Sequence, residues 1–329
     1  VNVKRANTLG GSNEWSFFNL TLGDNINPDI TVRASNATTT VRNTLTIATG
    51  HFLDAFGSIW DIQGSGNAFV EDGQFIEGTS TVRYSGLTPN ITRTAYNNLV
   101  IDTESGLSTT ATAPVTGLQV LGDFTVGALG TSTIDVNTND PLFAINGDVY
   151  IGSLGTMLAS DSNDINAFGS WDNDGIFTAN GGLVEFLQAA GPANISAGNS
   201  DFANVVVQGS ANFTFTENAT ATESFNLGAG GFTLNPGQTL AVGGPFTNTM
   251  ADAETDWTGT TLSLYGSSAY TINAKGTSDT YDTMYVSSST HPRVWNSTTT
   301  VINTEVGSSL YSMDHEGVDG DLYIFGDFI

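Results

Sequence analysis

Carboxylates are the one plentiful reactive side-chain type in this chain, with 33 Asp and Glu residues against 8 Lys and Arg residues. Four of them fall within eight residues, at Asp314, Glu316, Asp319 and Asp321. Hard cations such as Ca²⁺ take about 6 to 8 oxygen ligands, which a loop of this kind can supply. The spacing predicts a calcium site here, and calcium is the only cofactor that the sequence suggests.

Asp172 and Asp174 form a second, weaker calcium candidate in a short oxygen-rich loop. Neither loop fits the Asp-x-Asp-x-Asp-Gly frame that ends in Glu. Asp and Asn in such loops also make turns by hydrogen-bonding to their own backbone. Two interpretations therefore stay open for each loop, a calcium site and a structural turn.

Catalytic motifs are missing from the sequence. The chain has no cysteine, no Gly-x-Ser-x-Gly turn and only three dispersed histidines. We therefore expect no enzyme. The enzymatic alternative is polysaccharide cleavage by paired carboxylates, which need separations of about 5 to 9.5 Å. Stacking of turns could bring Asp61, Asp135 or Glu185 near other acids.

Asparagine supplies a further kind of candidate site, the Asn-x-Ser/Thr acceptor triplet. Such triplets arise by chance in a chain rich in Asn, Ser and Thr, so each alone is a weak signal. Together with the acidic composition and the repeats described below, they predict an exported and glycosylated protein. The seven acceptors are Asn19, Asn36, Asn90, Asn194, Asn212, Asn218 and Asn296.

Trp60 is the strongest candidate among the aromatic residues for contact with a ligand. It lies in Ile59-Trp60-Asp61-Ile62, out of phase with the apolar alternation, which predicts an exposed ring able to stack on a sugar. The other tryptophans are expected to fill the core, because aromatic side chains bury large areas.

These candidates must be positioned by a repeat. A segment reading aromatic, any residue, polar, apolar, any residue, apolar begins at Phe17, Tyr96, Phe202 and Tyr281, at intervals of 79, 106 and 79 residues. Matching apolar alternations flank each copy. The upstream ones are Val1-x-Val3, Val82-x-Tyr84, Val184-x-Phe186 and Leu262-x-Leu264. The downstream ones are Leu45-x-Ile47, Leu118-x-Val120, Phe225-x-Leu227 and Leu322-x-Ile324.

Alternation at period two between Gly, Asn, Asp, Ser and Thr clusters indicates short strands, and helical periodicity is nearly absent. Strand-like pieces arrive roughly every 20 residues, which predicts an all-β, right-handed parallel β-helix of about 20-residue coils in about 80-residue super-repeats. The super-repeats are 1–16 (partial), 17–95, 96–201 with one extra coil, 202–280 and 281–329 (partial).

Tandem β-sandwich modules are the alternative architecture, since these also show turn signals every 8 to 12 residues. Against them, no Pro-rich or charged linker separates the repeats. Neither end of residues 1–329 reads as a capping coil, so we expect one continuous solenoid segment of a longer protein. Uncapped ends would also allow head-to-tail polymerisation.

The charge balance excludes one class of partner. A net charge of −25 repels nucleic acid, whose phosphates need Lys and Arg. Anionic membranes would repel the chain too, and no membrane span of about 20 apolar residues occurs.

Several segments resemble units of large repetitive β-helical cell-surface proteins of bacteria and archaea. They are 171–182, 240–248, 259–266, 270–272 and 281–286. The resemblance implies an adhesin, an envelope layer or a surface filament.

We therefore expect a structural protein at the cell surface, forming a stiff acidic rod that self-associates or binds other surface proteins. The alternatives are an adhesin or glycan-binding shaft and, third, a polysaccharide-degrading spike.

Overall fold

The computed structural model is an all-β solenoid of about 12 turns with almost no helix. It describes residues 1–5, 7–9, 13–24, 31–35, 37–266, 269–272, 279–286, 291–294, 299–306 and 322–324. Its two compact units are residues 1–163 with 174–177, and residues 164–173 with 178–329. The predicted fold class is confirmed.

The strands are short, as the sequence predicts, apart from two long ones that bend through successive sides of a turn. The first group is β1 (Asn2–Val3), β2 (Asn7–Leu9), β3 (Trp15–Leu22), β4 (Thr31–Ala34), β5 (Thr38–Ile47), β6 (Phe52–Asp54), β7 (Ile59–Ile62), β8 (Phe69–Glu71), β9 (Gln74–Ile76), β10 (Thr81–Tyr84), β11 (Ala95–Tyr96), β12 (Asn98–Ile101), β13 (Ser108–Thr112), β14 (Leu118–Val120), β15 (Phe124–Val126), β16 (Thr131–Asp135), β17 (Phe143–Ile145), β18 (Val149–Ile151) and β19 (Gly155–Leu158).

The remaining strands are β20 (Ile165–Ala167), β21 (Trp171–Asn173), β22 (Ile176–Thr178), β23 (Leu183–Phe186), β24 (Pro192–Ser196), β25 (Phe202–Phe215), β26 (Ala219–Leu234), β27 (Thr239–Val242), β28 (Phe246–Asn248), β29 (Thr255–Asp256), β30 (Thr261–Leu264), β31 (Ala269–Ile272), β32 (Asp279–Val286), β33 (His291–Val294), β34 (Thr299–Val306) and β35 (Leu322–Ile324). A single-turn 3₁₀ helix spans Asp252–Glu254.

Parallel stacking of turns builds the first unit. Trp60 pairs with Val82, Val82 with Leu99, Leu99 with Phe124, and Phe124 with Val149. These partners lie 17 to 25 residues apart in sequence, and all five side chains are buried. One apolar column therefore runs through consecutive turns, as the period-two pattern predicts.

The second unit repeats this arrangement with aromatic rings. Val184 pairs with Val205, Val205 with Phe225, and Phe225 with Phe246, again in parallel. Neighbouring rings contact each other along the core, with Phe232 and Trp257 centroids 4.8 Å apart. Aromatic pairs at such distances add to the free energy gained by burying them.

The repeated motif owes its pattern to this stacking. Its aromatic residues Phe17, Tyr96, Phe202 and Tyr281 are all buried. Its polar position faces the neighbouring turn, where the Asn98 Oδ1 accepts a hydrogen bond of 2.9 Å from the Asp123 backbone N–H. The motif thus combines a buried aromatic side chain with a polar side chain that hydrogen-bonds to the next turn.

The flanking alternations agree with the stacking only in part. In the four copies the upstream strand pairs directly with the motif strand, as Val82 does with Leu99. The downstream strand pairs directly with the motif strand in the first and third copies, and in the second copy its Val120 pairs with the motif residue Tyr96. Leu118 pairs with Phe143 and Leu322 with Thr299, while Leu99 stacks on Phe124. The super-repeat boundaries stay a prediction.

Every strand pairing with a defined register between described residues is parallel. This rules out antiparallel sandwich modules for those segments. Smaller sheets accompany the main one, with β13, β16, β19 and β22 in one and β2, β4, β6 and β9 in another. Within the described residues, no helix is both long and apolar enough for a membrane span.

Close approach of turns makes glycine necessary after β7 and β10. A Cβ on Gly86 would lie 2.1 Å from the Gly64 carbonyl oxygen, and one on Gly64 would lie 1.9 Å from the Asn43 carbonyl oxygen. Backbone atoms cannot yield as a side chain can, so a methyl group here must separate the turns.

We expect Gly86→Ala to lower the free energy of unfolding by about 1 to 3 kcal/mol, the usual cost of overpacking. Gly117→Ala is the matched control, because its Cβ would meet only the Leu142 carbonyl oxygen, at 3.7 Å. Thermal unfolding of both variants checks this. Equal melting temperatures would contradict the close approach of these turns.

Candidate functional site

The most elaborate polar cluster of the first unit surrounds the buried carboxylate of Asp61. Its Oδ1 accepts hydrogen bonds from the Arg83 Nε at 2.9 Å and from the Ser85 Oγ at 2.6 Å. Its Oδ2 accepts from the Gln63 Nε2 at 2.8 Å and lies 2.9 Å from a terminal nitrogen of Arg83. The carboxylate is therefore saturated by a two-point guanidinium contact and two further donors.

Stacking creates this cluster, because Arg83 on β10 pairs directly with Asp61 on β7. Burial by itself would raise the pKa of Asp61. The hydrogen bonds from Arg83 and Ser85, with the charge of Arg83, outweigh it and hold the pKa below its usual value. Asp61 correspondingly raises the pKa of Arg83. A carboxylate held this way stays ionised and is unsuited to donating a proton.

Asp102 is the second buried carboxylate of this region. Its oxygens accept hydrogen bonds from the backbone N–H groups of Thr103 and Leu129 at 2.9 Å and of Gly130 at 3.0 Å. Ser132 adds a hydroxyl at 3.4 Å. Asp102 therefore joins its own turn to the following one, because its carboxylate oxygens accept hydrogen bonds from donors of that following turn.

A groove of about 500 Å³ lies beside Arg83. The bonds to Asp61 use the Nε and one terminal nitrogen of Arg83, which leaves the other terminal nitrogen for a ligand. Because Asp61 balances the charge of Arg83, the exposed carboxylate of Glu104 leaves the groove acidic. Polar side chains and two leucines share the lining: Gln63, Arg83, Ser85, Glu104, Leu87 and Leu107.

An exposed aliphatic residue recurs in five successive turns of the first unit, and we call this set the aliphatic stripe. Leu107 directly precedes β13, Leu129 lies two residues before β16, Leu154 directly precedes β19, and Ile176 begins β22. The carbonyl of Leu87 accepts from the Thr110 N–H on β13, which puts Leu87 in the same region. Their exposed fractions are 65% for Leu87, 57% for Leu107, 58% for Leu129, 46% for Leu154 and 57% for Ile176.

The prediction that Trp60 is exposed is wrong. Trp60 is 1% exposed and belongs to the core column, whereas its neighbour Ile59 is 44% exposed. Trp60 and Ile62 are the in-phase pair that points inward, so the apolar Ile59 on the outer face disguised the alternation. Trp60 is removed as a glycan contact.

The acids proposed for catalysis occupy unrelated surroundings. The carboxylate of Asp135 accepts from the backbone N–H and hydroxyl of Thr138, at 2.9 and 2.6 Å, which closes a turn. Burial, with the charge of Asp164, raises the pKa of Glu185. Asp61 is committed to Arg83. The contacts of each acid involve none of the other two.

The calcium candidates divide between described and undescribed residues. Asp172 and Asp174 are both exposed, and Asp172 lies within β21 rather than in a loop. No group of three or more His, Asp or Glu side chains arranged to hold a metal occurs among the described residues. Asp314, Glu316, Asp319 and Asp321 lie outside the described residues, so calcium there stays a prediction.

The described acceptor asparagines all face solvent. Asn19, for example, lies on the outer face of β3, where its Oδ1 accepts from the Asn43 Nδ2 at 2.8 Å. The other exposed acceptors are Asn90, Asn194, Asn212 and Asn218. Asn36 and Asn296 fall outside the described residues.

Comparison with protein-family models, curated proteins and solved structures finds no match to this chain. The solenoid part of the predicted resemblance is confirmed by the fold. The cell-surface part has no relative to support it.

Sequence reasoning missed the Asp61–Arg83 pair and the aliphatic stripe. The pair was visible as opposite charges 22 residues apart, which is one turn. The stripe was visible as aliphatic residues next to Gly, Ser and Thr, again once per turn.

We expect Arg83→Met to destabilise the fold by about 3 to 5 kcal/mol at pH 7, because it leaves the Asp61 carboxylate buried without its cation. Arg33→Met is the matched control, since Arg33 is 60% exposed in its bridge to Asp54 and such pairs contribute about 0 to 1 kcal/mol. Urea unfolding of both variants measures the difference.

The pH dependence follows from the lowered pKa of Asp61. The contribution of the ion pair should be complete above the ordinary Asp pKa of 3.8 and be lost progressively as the pH falls from there through the lower folded value. An Arg83→Met penalty no larger than that of Arg33→Met at pH 7 would contradict the structural role.

Proposed function

We propose that this chain is a structural shaft of an extracellular surface or appendage protein, and that copies of it associate. The observation that carries the proposal is what the buried side chains of the chain contact. Buried apolar residues form stacked columns, and the buried carboxylates Asp61 and Asp102 accept hydrogen bonds that join turns. Such contacts favour a stiff scaffold over a reactive centre.

The outer surface supports an extracellular setting. All five described acceptor asparagines are exposed, as attachment of a glycan requires. The net charge of −25 keeps the surface hydrated and opposes unspecific association. A glycosylated, acidic solenoid would suit the surface of a cell.

Regular polymers carrying this chain should be visible by immunogold electron microscopy of the native cell surface. The reason is that joining copies extends the stack of turns beyond a single chain. Gold particles at ordered intervals along a polymer are expected. Label confined to the cell interior, or to isolated single shafts, would contradict the proposal.

Glycan attachment makes a separate prediction. Mass spectrometry of the native protein should find glycan mass on peptides with Asn19, Asn90, Asn194, Asn212 and Asn218, since each acceptor is exposed. Unmodified peptides at all five positions would remove the glycoprotein part of the proposal.

A second candidate function, glycan binding, is favoured by the groove beside Arg83. The free terminal nitrogen of Arg83 can donate to a sugar hydroxyl, and Glu104 can accept from another. Leu87 and Leu107 offer apolar contact to the C–H face of a ring. The residual acidity disfavours uronic or sulfated sugars, so the ligand would be a neutral glycan.

Glu104→Gln should weaken retention on an array of neutral oligosaccharides by several-fold, because hydrogen bonds to a charged group are stronger than those to an amide. Glu217→Gln, at an exposed acid outside the groove, is the matched control and should bind as the unaltered chain does. Equal retention of both variants, or none by the unaltered chain, would remove this candidate.

A further inference from the structure

The sequence segments that contain the aliphatic stripe are free of charged residues. Residues 85–92, 105–122, 124–134, 149–160 and 175–184 contain no Asp, Glu, Lys or Arg, in a chain with 33 acids. Each of these windows contains one stripe residue. The outward neighbours of the stripe are hydroxyl residues such as Ser108, Thr110 and Thr131, which are exposed. The charged groups at its margins are Asp174 and, in the groove that Leu87 and Leu107 line, Glu104 and the Asp61-paired Arg83.

We infer that the aliphatic stripe is the surface through which two copies of this chain pair side by side. This inference rests on the proposed function and names the face that it would use. Two molecules of net charge −25 repel each other wherever acids face acids. An uncharged face meets its own copy without that repulsion, and burying its leucines removes apolar surface from water.

A twofold axis makes the contact self-complementary, because the same patch then serves both copies. Such an arrangement lays one stripe against the other. All five stripe residues belong to one compact unit, so the surface is formed within that unit alone.

The size of the face sets the strength of pairing. Five turns spaced about 4.8 Å apart, each contributing about five residues at 3.3 Å, give an area of about 400 Å². A standard interface takes about 800 Å² from each partner. A single pair is therefore weak and depends on concentration, whereas copies already aligned in an array reinforce one another through multivalency.

Sedimentation velocity of the full chain tests the pairing at increasing protein concentration, in low and in high NaCl. The sedimentation coefficient should rise with concentration, and more steeply in high salt. Salt screens the acidic repulsion but leaves the apolar contact intact. An interface held by ion pairs would show the opposite salt dependence.

Leu129→Asp and Leu154→Asp should abolish the rise, because each places a carboxylate at the centre of the paired face. Both leucines are exposed and neither lines the groove, so fold and groove are left intact. Val115→Asp is the matched control. It is 75% exposed and lies beyond the far end of β13, away from the stripe, and should associate as the unaltered chain does.

The absence of cysteine allows a direct check of proximity. Thr131→Cys, in the middle of the stripe, should give a disulfide-linked dimer under mild oxidation. Ser210→Cys, an exposed position in the other unit, should give little.

A sedimentation coefficient independent of concentration at both salt levels would overturn the inference. Association that persists in both leucine variants, with no Thr131→Cys dimer, would also overturn it while leaving a structural shaft joined by another surface. Isolated shafts in micrographs of the native surface would instead contradict the proposed function, whatever the sedimentation result.

Discussion

Parallel stacking of turns in register is the constraint on which the rest of this structure depends. Neighbouring strands lie about 4.8 Å apart, so each residue has a fixed partner one turn before and one turn after it. Apolar residues therefore form columns, as from Trp60 to Val149. Where two backbones come closest, only glycine fits, as at Gly64 and Gly86. The same constraint means that a buried charge on one strand must be compensated by a group on the next turn.

Acidic residues need such compensation most, since like charges at matching positions of successive turns repel. The two buried carboxylates are compensated in different ways. Asp61 is paired with a stacked arginine, and Asp102 is bound by backbone N–H groups of a following turn. The other acids whose burial the structure describes are exposed or partly exposed, so water and counterions screen them. The uncharged face across five turns lacks such surface acids, which is the reason for proposing that copies of the chain associate through it.

The sequence was informative about the fold because burying one face of a strand imposes a period of two. It was less informative about register. Turn lengths vary from 17 residues between Val82 and Leu99 to 25 between Leu99 and Phe124, because polar loops absorb extra residues without disturbing the core. That variation places Phe124, and no residue of the downstream alternation Leu118-x-Val120, opposite Leu99. For the same reason, the 22-residue spacing of Asp61 and Arg83 identifies them as a pair only when the length of that turn is known.

The misplacement of Trp60 has a different origin, because Ile59 puts an apolar side chain on the outer face. Sequence patterns cannot distinguish an exposed isoleucine from a buried one when a tryptophan stands beside it. The acceptor asparagines, by contrast, could be assigned to the surface from the phase of their strands, as at Asn194 and Asn212.

Disulfide trapping in the cysteine-free chain tests the stacking register most directly. Val100 and Thr125 are register partners whose side chains are neither fully buried nor fully exposed. Their Cα atoms should lie about 4.8 Å apart, within the range that a disulfide spans. The account predicts that Val100→Cys with Thr125→Cys forms an intramolecular disulfide readily, whereas Val100→Cys with Asp123→Cys, two residues out of register, does not. Equal trapping of both pairs, or preference for the second, would contradict it.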